Sequence, residues 1–187
     1  MGGYNLSVDI DWIINPFQHT LLIDYVSKKF KECENIIFID CHHNIINHLP
    51  KNNISLVNID HHHDIINDSE YQNKNKLNEG NWVSYLTYKN SLQDYIWVNN
   101  ISSLINDLVI SNGGIRNLKT FKIEHSLDFI KDFKYKKIVI CKSREFSWEN
   151  SYSECVISFN ILKSIAKNFF KEKTIVDNES NPYRYYN

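Results

Sequence analysis

Short runs of apolar residues alternate along this chain with stretches in which apolar residues recur every three or four positions. The continuous runs predict strands covered on both faces, and the spaced repeats predict amphipathic helices. Strands are predicted at residues 6–10, 36–39, 55–59, 95–98, 108–110 and 137–141. Helices are predicted at residues 16–34, 44–49, 81–92 and 156–169. This alternation predicts an α/β three-layer sandwich, in which a mostly parallel sheet has helices on both faces.

Polar residues mark the ends of these elements. Asn15 followed by Pro16 predicts an N-cap and the first helical residue. The Asn- and Lys-rich segment 67–78 is typical of a surface loop, and it falls close to the candidate chemistry described below. We therefore expect a single α/β domain over residues 1–176, followed by a polar, Tyr-rich tail over residues 177–187.

Composition narrows the class of protein. A chain of 187 residues with 42% hydrophobic and 13% aromatic residues can form one domain with a substantial core. The net charge of −1 does not indicate nucleic acid or a membrane surface as a partner. The start of the chain lacks the shape of a signal peptide, and no apolar run approaches the roughly 18 residues of a membrane span. A cytoplasmic location is the expectation. The four cysteines form no C-x-x-C pair, so a zinc ribbon is not predicted.

Acidic and histidine residues follow three of the predicted strands. They lie in the segments Val8–Trp12, Ile39–His43 and Ile59–Asp64, and seven of the eight histidines fall between residues 19 and 63. Because ligands bind at the carboxyl ends of parallel strands, we expect these three segments to meet at one edge of the sheet. The D-x-D pair alone is typical of a turn or a solvated strand edge, and a triple His can be a surface run. The occurrence of acidic and histidine residues after three predicted strands, and not after one alone, favours a shared site.

A divalent metal ion is the ligand that this residue set favours. Crowded carboxylates repel one another and raise each other's pKa, and a divalent cation removes that repulsion. Asp and neutral His are ligands for Mn²⁺, Fe²⁺ or Zn²⁺, and a bridging carboxylate suits a two-metal site. Asp9 and Asp11 would share a face on a strand, and so would residues 60, 62 and 64. The sequence therefore predicts a centre for one or two divalent ions.

Several segments resemble the ureohydrolase (arginase-like) superfamily, and within it the peptide arginases and their uncharacterised relatives. Residues 60–64 resemble the D-x-H-x-D motif of that superfamily, and residues 7–16 resemble its S-x-D-x-D-x-x-D-P motif. Residues 40–44 are similar to the His-His segment of the peptide-arginase branch. Residues 80–82 and 143–146 resemble further short stretches of that branch.

The resemblance implies an arginase/deacetylase-like fold and a hydrolase that converts free or peptidyl arginine to ornithine and urea. It implies two Mn²⁺ ions per chain, bridged by Asp60 and Asp9. The ligands it implies are Asp9, Asp11, Asp60, His62, Asp64 and one of His42 and His43. Asn81 and Glu145 would bind the substrate, Glu145 as the acid that holds the guanidinium group. Candidates for the proton-transferring residue are His43, His61 and His63.

The chain departs from the arginase pattern in order and length. In arginases the D-x-D strand follows the D-x-H-x-D strand, whereas here it comes first. The segment 7–16 is also one residue longer than the S-x-D-x-D-x-x-D-P motif, and Asn15 stands before the proline in place of the last Asp. A parallel sheet tolerates such a permutation, because a site depends on which strand ends lie together in space and not on the order of the strands in the sequence. The expected partner is a small guanidine or an arginine-containing peptide, and a homo-oligomer is compatible with the sequence.

A second resemblance points to the DHH phosphoesterases. Residues 59–62 are similar to the D-H-H motif. The order of Asp9 or Asp11, then Asp40, then Asp60 follows the motif order of that family without permutation. In such a site Asp40 would bind metal directly. The Gly-Gly-Gly-His segment of the family is not found in the sequence. A non-catalytic metal-binding relative of either family is the third alternative.

Overall fold

The computed structural model describes residues 3–65, 77–100, 118–142 and 152–176. The strands of this part of the chain are β1 (Tyr4–Asp9), β2 (Asn35–Ile39), β3 (Ile54–Ile59), β4 (Leu92–Val98), β5 (Thr120–Glu124), β6 (Tyr135–Cys141) and β7 (Thr174–Val176). The α-helices are α1 (Pro16–Lys29), α2 (Trp82–Tyr88) and α3 (Tyr152–Phe169). Shorter 3-10 helices span Ile10–Trp12, His42–Asn47, Leu127–Ile130 and Lys171–Lys173.

The seven described strands form one sheet in the order β5-β4-β3-β1-β6-β2-β7, and every pairing is parallel. β1 therefore lies at the centre, between β3 and β6. The predicted α/β sandwich with a mostly parallel sheet is confirmed. Within the described ranges, no helix is long and apolar enough to cross a membrane.

Alternate residues of the strands face two separate apolar layers. On one side α1 and α3 pack over the sheet, with Val26 and Leu162 among their buried contacts. On the other side α2 and the 3-10 helix His42–Asn47 cover the sheet, with Val83 and Ile45 buried there. Helices therefore cover both faces of the sheet, and the strands are apolar on both sides, as parallel strands usually are.

The central strand departs from that rule on one face. Leu6 and Val8 belong to the layer under α1 and α3. The residues that alternate with them, Asn5, Ser7 and Asp9, are polar and at most 3% exposed. A buried polar row in the middle of a sheet requires partners, because an unpaired buried polar group is costly. This row leads along β1 to the candidate site.

Several element boundaries differ from the prediction. The first helix ends at Lys29, not near residue 34, and the predicted 44–49 helix is a 3-10 helix that begins at His42. α2 ends at Tyr88 because the chain turns at Asn90, whose φ is 55°, so that Leu92 begins β4. Prediction of a helix up to residue 92 was wrong for this reason.

The edge strands β5 and β7 were not predicted. Their residues are mostly half-buried, so they lack the continuous apolar runs by which the inner strands are identified. The predicted 108–110 strand, the 177–187 tail and residues 67–76 of the predicted loop lie outside the described residues.

A pair of substitutions on α3 tests the layer assignment. Leu162 is fully buried under the sheet, and Phe169 of the same helix is 74% exposed. Leu162→Ala should lower the free energy of unfolding by about 2–5 kcal/mol, because it leaves a cavity. Phe169→Ala should change it by no more than about 0.5 kcal/mol. Urea denaturation of both variants measures the difference, and equal values would show that α3 does not pack as described.

Candidate metal centre

The register of the sheet brings three strand ends to one level. Val8 of β1 pairs with Ile59 of β3, and Cys141 of β6 pairs with both Asp9 and Ile39. The segments that follow β1, β2 and β3 therefore leave the sheet at the same edge. The prediction that these strands share one parallel sheet with their carboxyl ends together is confirmed.

His42 lies at the centre of a buried group of carboxylates. Its Nδ1 is 3.0 Å from Asp9 Oδ2, 3.2 Å from Asp60 Oδ2 and 3.1 Å from Asp64 Oδ2. Its Nε2 is 2.7 Å from Ser7 Oγ, a member of the polar row of β1. The side chains of His42 and of the three aspartates are all at least nine-tenths buried. We call Asp9, His42 and Asp60 the first ligand group, since one ligand atom of each lies within 4.8 Å of the others.

The spacing in the first group matches the spacing of ligands around one cation. Ligand atoms at right angles around an ion, with bonds of about 2.1 Å, are separated by about 3.0 Å. The Nδ1 of an imidazole carries at most one proton, so it can donate to only one of the three carboxylates that surround it. Ser7 as an acceptor for Nε2–H would leave the Nδ1 lone pair facing the carboxylates, the form in which histidine binds metal.

A second group of possible ligands adjoins the first. It consists of Asp11, Asp60 and His62, again with one ligand atom each within 4.8 Å of the others. His62 Nδ1 is 3.3 Å from Asp11 Oδ2, and the His62 side chain is 38% exposed while that of Asp11 is 2% exposed. Asp60 belongs to both groups. This is the arrangement in which a carboxylate can bridge two ions.

The local backbone structure sets the positions of these side chains. β1 ends at Asp9, and Asp11 lies in the 3-10 turn that follows, where its N–H points to Asp9 Oδ1 at 3.4 Å. The prediction that Asp9 and Asp11, and likewise residues 60, 62 and 64, share a face through strand alternation was wrong, because β1 ends at Asp9 and β3 ends at Ile59. After β3, Asp60 Oδ1 accepts from the His62 N–H at 2.9 Å. Asp64 has a φ of 54°, a left-handed conformation that Asp tolerates better than most residues.

Crowding without a cation shifts the pKa values of the cluster. Burial raises the pKa of Asp60 to about 8, and the neighbouring charges of Asp64 and Asp9 add to the rise. Burial, Asp9 and Asp60 raise the pKa of Asp11 well above its usual range. Burial also raises the pKa of Asp64.

The pKa values of the two histidines of the cluster are raised, although burial alone would lower them. Burial opposes the protonation of His42, but the carboxylates around it outweigh burial and raise its pKa well above the ordinary value. The pKa of His62 rises to about 9, because Asp11, Asp60 and Asp64 outweigh the burial that opposes protonation. The charges of this cluster are therefore unbalanced until protons or a cation neutralise them.

The observed atoms fit a divalent cation. Oδ1 of Asp11 is buried and has no hydrogen-bond partner among the residues that the structure describes. An orphaned carboxylate oxygen in such a place is unfavourable unless a cation or a proton meets it. Oxygen and imidazole nitrogen donors suit Mn²⁺, Fe²⁺ and Zn²⁺. The residues of the two groups can hold a metal ion, as the sequence predicted.

The contacts in the structure distinguish the predicted site residues from one another. His42, and not His43, contributes to the first group. His43 is buried, and burial followed by the charge of His42 lowers its pKa. His61 is buried edge-on against His62, with ring centroids 4.8 Å apart. His63 Nδ1 accepts from the Ile65 N–H at 2.8 Å. The proton-transfer role of His43, His61 or His63 stays a prediction.

Four further candidates stand outside the two groups. Of the described residues, Asp40 and Asp64 belong to neither group, although Asp64 Oδ2 lies 3.1 Å from His42 Nδ1. Asn81 is buried, and its Oδ1 accepts from the Asn78 N–H at 2.8 Å in the turn that begins α2. Substrate binding by Asn81 stays a prediction. Glu145 lies outside the described residues.

Sequence reasoning gave no role to the residues that hold the ligands in place. Asn58 Nδ2 donates to Asp60 Oδ2 at 3.0 Å, and Trp82 Nε1 donates to Asp64 Oδ2 at 2.6 Å. The Tyr95 hydroxyl lies 3.1 Å from Asn58 Nδ2 and 2.9 Å from the His63 carbonyl oxygen. The alternation of Asn5, Ser7 and Asp9 with apolar residues was visible in the sequence. It marks a polar face on a strand that should be buried on both sides.

Searches among protein-family models, curated proteins and solved structures found no match for this chain. The geometry of the site is therefore what supports an assignment of function.

The raised pKa values predict how pH affects the metal-free protein. Asp60 has a folded pKa of about 8, far above the unfolded value near 3.9, so the folded protein binds the proton of this carboxyl more tightly than the unfolded chain does. The stabilisation that results is fully present below about pH 4. That contribution is lost as the pH rises towards 8. The contribution of His62 is complete below about pH 6.5 and is lost as the pH rises through about 9. The melting temperature of the metal-free protein should fall between pH 6 and 9.

Added Mn²⁺ should reverse this trend, because it competes with protons for the same atoms. The increase in melting temperature on addition of Mn²⁺ should be small at pH 6 and grow towards pH 8.5. Differential scanning calorimetry with Mn²⁺ or with a chelator, over this pH range, measures both trends. A Mn²⁺ effect that is independent of pH would show that these groups do not bind the ion.

Proposed function

We propose that this protein is a metal-dependent hydrolase of the arginase-like type, which hydrolyses a guanidinium group with the help of two Mn²⁺ ions. The observation that supports the proposal is the position of Asp60 in two adjoining ligand groups, one with Asp9 and His42 and the other with Asp11 and His62. A shared carboxylate between two sets of Asp and His ligands is the design of a two-metal hydrolytic site.

The geometry supports most of the ligand set that the resemblance implies, although Asp9, the second implied bridging residue, belongs to one group only. The D-x-D pair, the D-x-H-x-D segment and one member of the His-His pair converge, although they come from three separate parts of the chain. The strands that carry the two acidic motifs are neighbours, β1 and β3, in spite of their reversed order in the sequence. This adjacency supports an arginase-like centre with permuted strands.

The chain's own residues then have distinct parts in the reaction. Asp9, His42, Asp60 and Asp64 would hold one ion, and Asp11, Asp60 and His62 would hold the other. Bound divalent ions supply the Lewis acidity that makes water a nucleophile near neutral pH. A histidine outside the ligand set, one of His43, His61 and His63, would carry the proton to the leaving amine. The product pair of this reaction on arginine is ornithine and urea.

The substrate lies on the exposed side of the cluster in this proposal. His62 is the ligand with the most exposed side chain, whereas the His42 side chain is 2% exposed. A guanidinium group carries a positive charge, and it would approach a site surrounded by carboxylates. A free arginine or an arginine in a peptide meets this requirement.

The phosphoesterase alternative has weaker support. In that reading Asp40 would bind metal, but Asp40 is absent from the ligand groups found among the described residues, and His62 is present. A non-catalytic metal-binding protein would keep the cluster without turnover, so an activity assay separates it from the hydrolase.

Asp60→Asn is the decisive substitution. It removes the charge that both groups share, so the variant should lose both Mn²⁺ ions and all release of urea. The matched control is Asp40→Asn, which sits two residues before His42 and should retain the metal and the activity. Metal content by mass spectrometry, with urea release from arginine and from arginine-containing peptides, measures both effects.

The pattern of results assigns the family. Loss of metal in Asp40→Asn together with retention in His62→Ala would favour the phosphoesterase alternative. Two ions in the wild type with no turnover of any guanidine would favour the non-catalytic alternative. Absence of any bound divalent metal ion in the wild type would refute the metal centre itself.

A further inference from the structure

Trp82, the first residue of α2, contacts two of the metal-ligand candidates at once. Its indole Nε1–H donates to Asp64 Oδ2 at 2.6 Å, and its ring lies 4.8 Å from the His42 ring at an interplanar angle of 54°. Trp82 is fully buried. One side chain thus holds a carboxylate from the segment after β3 and an imidazole from the segment after β2.

The same part of the chain also holds the main chain of His42. Glu79 Oε1 accepts from the His42 N–H at 3.1 Å. Three residues later Trp82 covers the imidazole ring, so His42 is held from two directions by the turn that begins α2. On its other side His42 Nε2 contacts Ser7 Oγ at 2.7 Å. These contacts leave Nδ1 aimed at the three carboxylates.

Asp64 needs such support more than the other aspartates do. Its backbone is left-handed, with a φ of 54°, a conformation that costs a non-glycine residue free energy. Its Oδ2 is the atom that approaches His42 Nδ1 at 3.1 Å, and Trp82 donates to that same atom. The indole N–H therefore helps, together with His42, to hold Asp64 in the orientation that faces the first ligand group.

We propose that Trp82 is a positioning residue of the metal centre, which presets Asp64 and His42 for the ion of the first ligand group. The proposal rests on the metal-dependent function proposed above and deepens it. A hydrogen bond from an outer residue to a ligand orients the ligand before the ion arrives, and loss of such a bond typically costs about 10–100-fold in metal affinity. The indole N–H is the group that performs this role, and the ring area is a separate contribution to packing.

The chain offers a matched control in Trp97. This tryptophan is equally buried, and its Nε1 donates to the main-chain oxygen of Asp60 at 3.0 Å, an atom outside the ligand groups. Trp82→Phe and Trp97→Phe each remove one buried indole N–H beside the site and keep an aromatic ring. They differ in whether the lost hydrogen bond ended on a ligand carboxylate.

The experiment measures the dissociation constant for Mn²⁺ by titration calorimetry in the wild type and in both variants. Trp82→Phe should weaken binding by about 10–100-fold. Trp97→Phe should lower the melting temperature while its dissociation constant stays within about threefold of the wild type, a margin well below the expected effect. Equal dissociation constants for Trp82→Phe and Trp97→Phe would overturn the proposal.

A double-mutant cycle distinguishes positioning from general loosening. Asp64→Asn should itself weaken Mn²⁺ binding, and addition of Trp82→Phe to it should have no further effect, because the tryptophan acts through the carboxylate. Additive effects would show that Trp82 merely supports the fold. Failure of the wild type to bind Mn²⁺ would refute the proposed function, whereas normal binding by Trp82→Phe would refute this inference alone.

A measurement on the wild type covers the case in which Trp82→Phe does not fold. The indole N–H of Trp82 should shift in the nitrogen–proton NMR spectrum when diamagnetic Zn²⁺ is added, because its acceptor oxygen becomes polarised by the ion. An unchanged Trp82 resonance in the presence of bound Zn²⁺ would contradict the proposal.

Discussion

Burial of several carboxylates in one small volume is the constraint on which the rest of this structure depends. Asp9, Asp11, Asp60 and Asp64 are each no more than 6% exposed, and they converge at one edge of the sheet. Charged groups in such a place cost several kcal/mol apiece unless they are paired or neutralised. A fold that keeps them together gains little by doing so for stability alone. The cluster is thus a group of charges that a bound cation could neutralise.

The sheet is arranged to meet this constraint. β1 carries Asp9 at its end and lies between β3 and β6, so that it is an inner strand with paired neighbours on both edges. The apolar face of β1 packs under α1 and α3, and its polar face lies under the 3-10 helix that holds His42. The two faces of β1 therefore have different roles. One face supplies hydrophobic stabilisation, and the other carries Asp9 and Ser7, which contact His42.

The sequence was sufficient to predict the parallel sheet and most members of the two possible ligand groups, because both follow from local patterns. Ile36–Ile39 is apolar enough to indicate an inner strand, and the polar residues after it predict the edge at which a site forms. Sequence could not distinguish His42 from His43, since two adjacent residues differ only in which way the 3-10 helix turns them. Thr120–Glu124 escaped prediction because an edge strand is exposed on one side and lacks a diagnostic pattern.

The residues that orient the ligands were beyond sequence reasoning for a different reason. Trp82 reaches Asp64 across 18 positions of the chain, and Ser7 reaches His42 across 35 positions. Tryptophan in a predicted helix is usually core, so nothing local suggests that its N–H has a polar partner. Such roles depend on the pairing of strands that are distant in sequence. Because β1 lies beside β3, the acidic segments that follow them meet at one edge of the sheet, whichever strand comes first in the sequence.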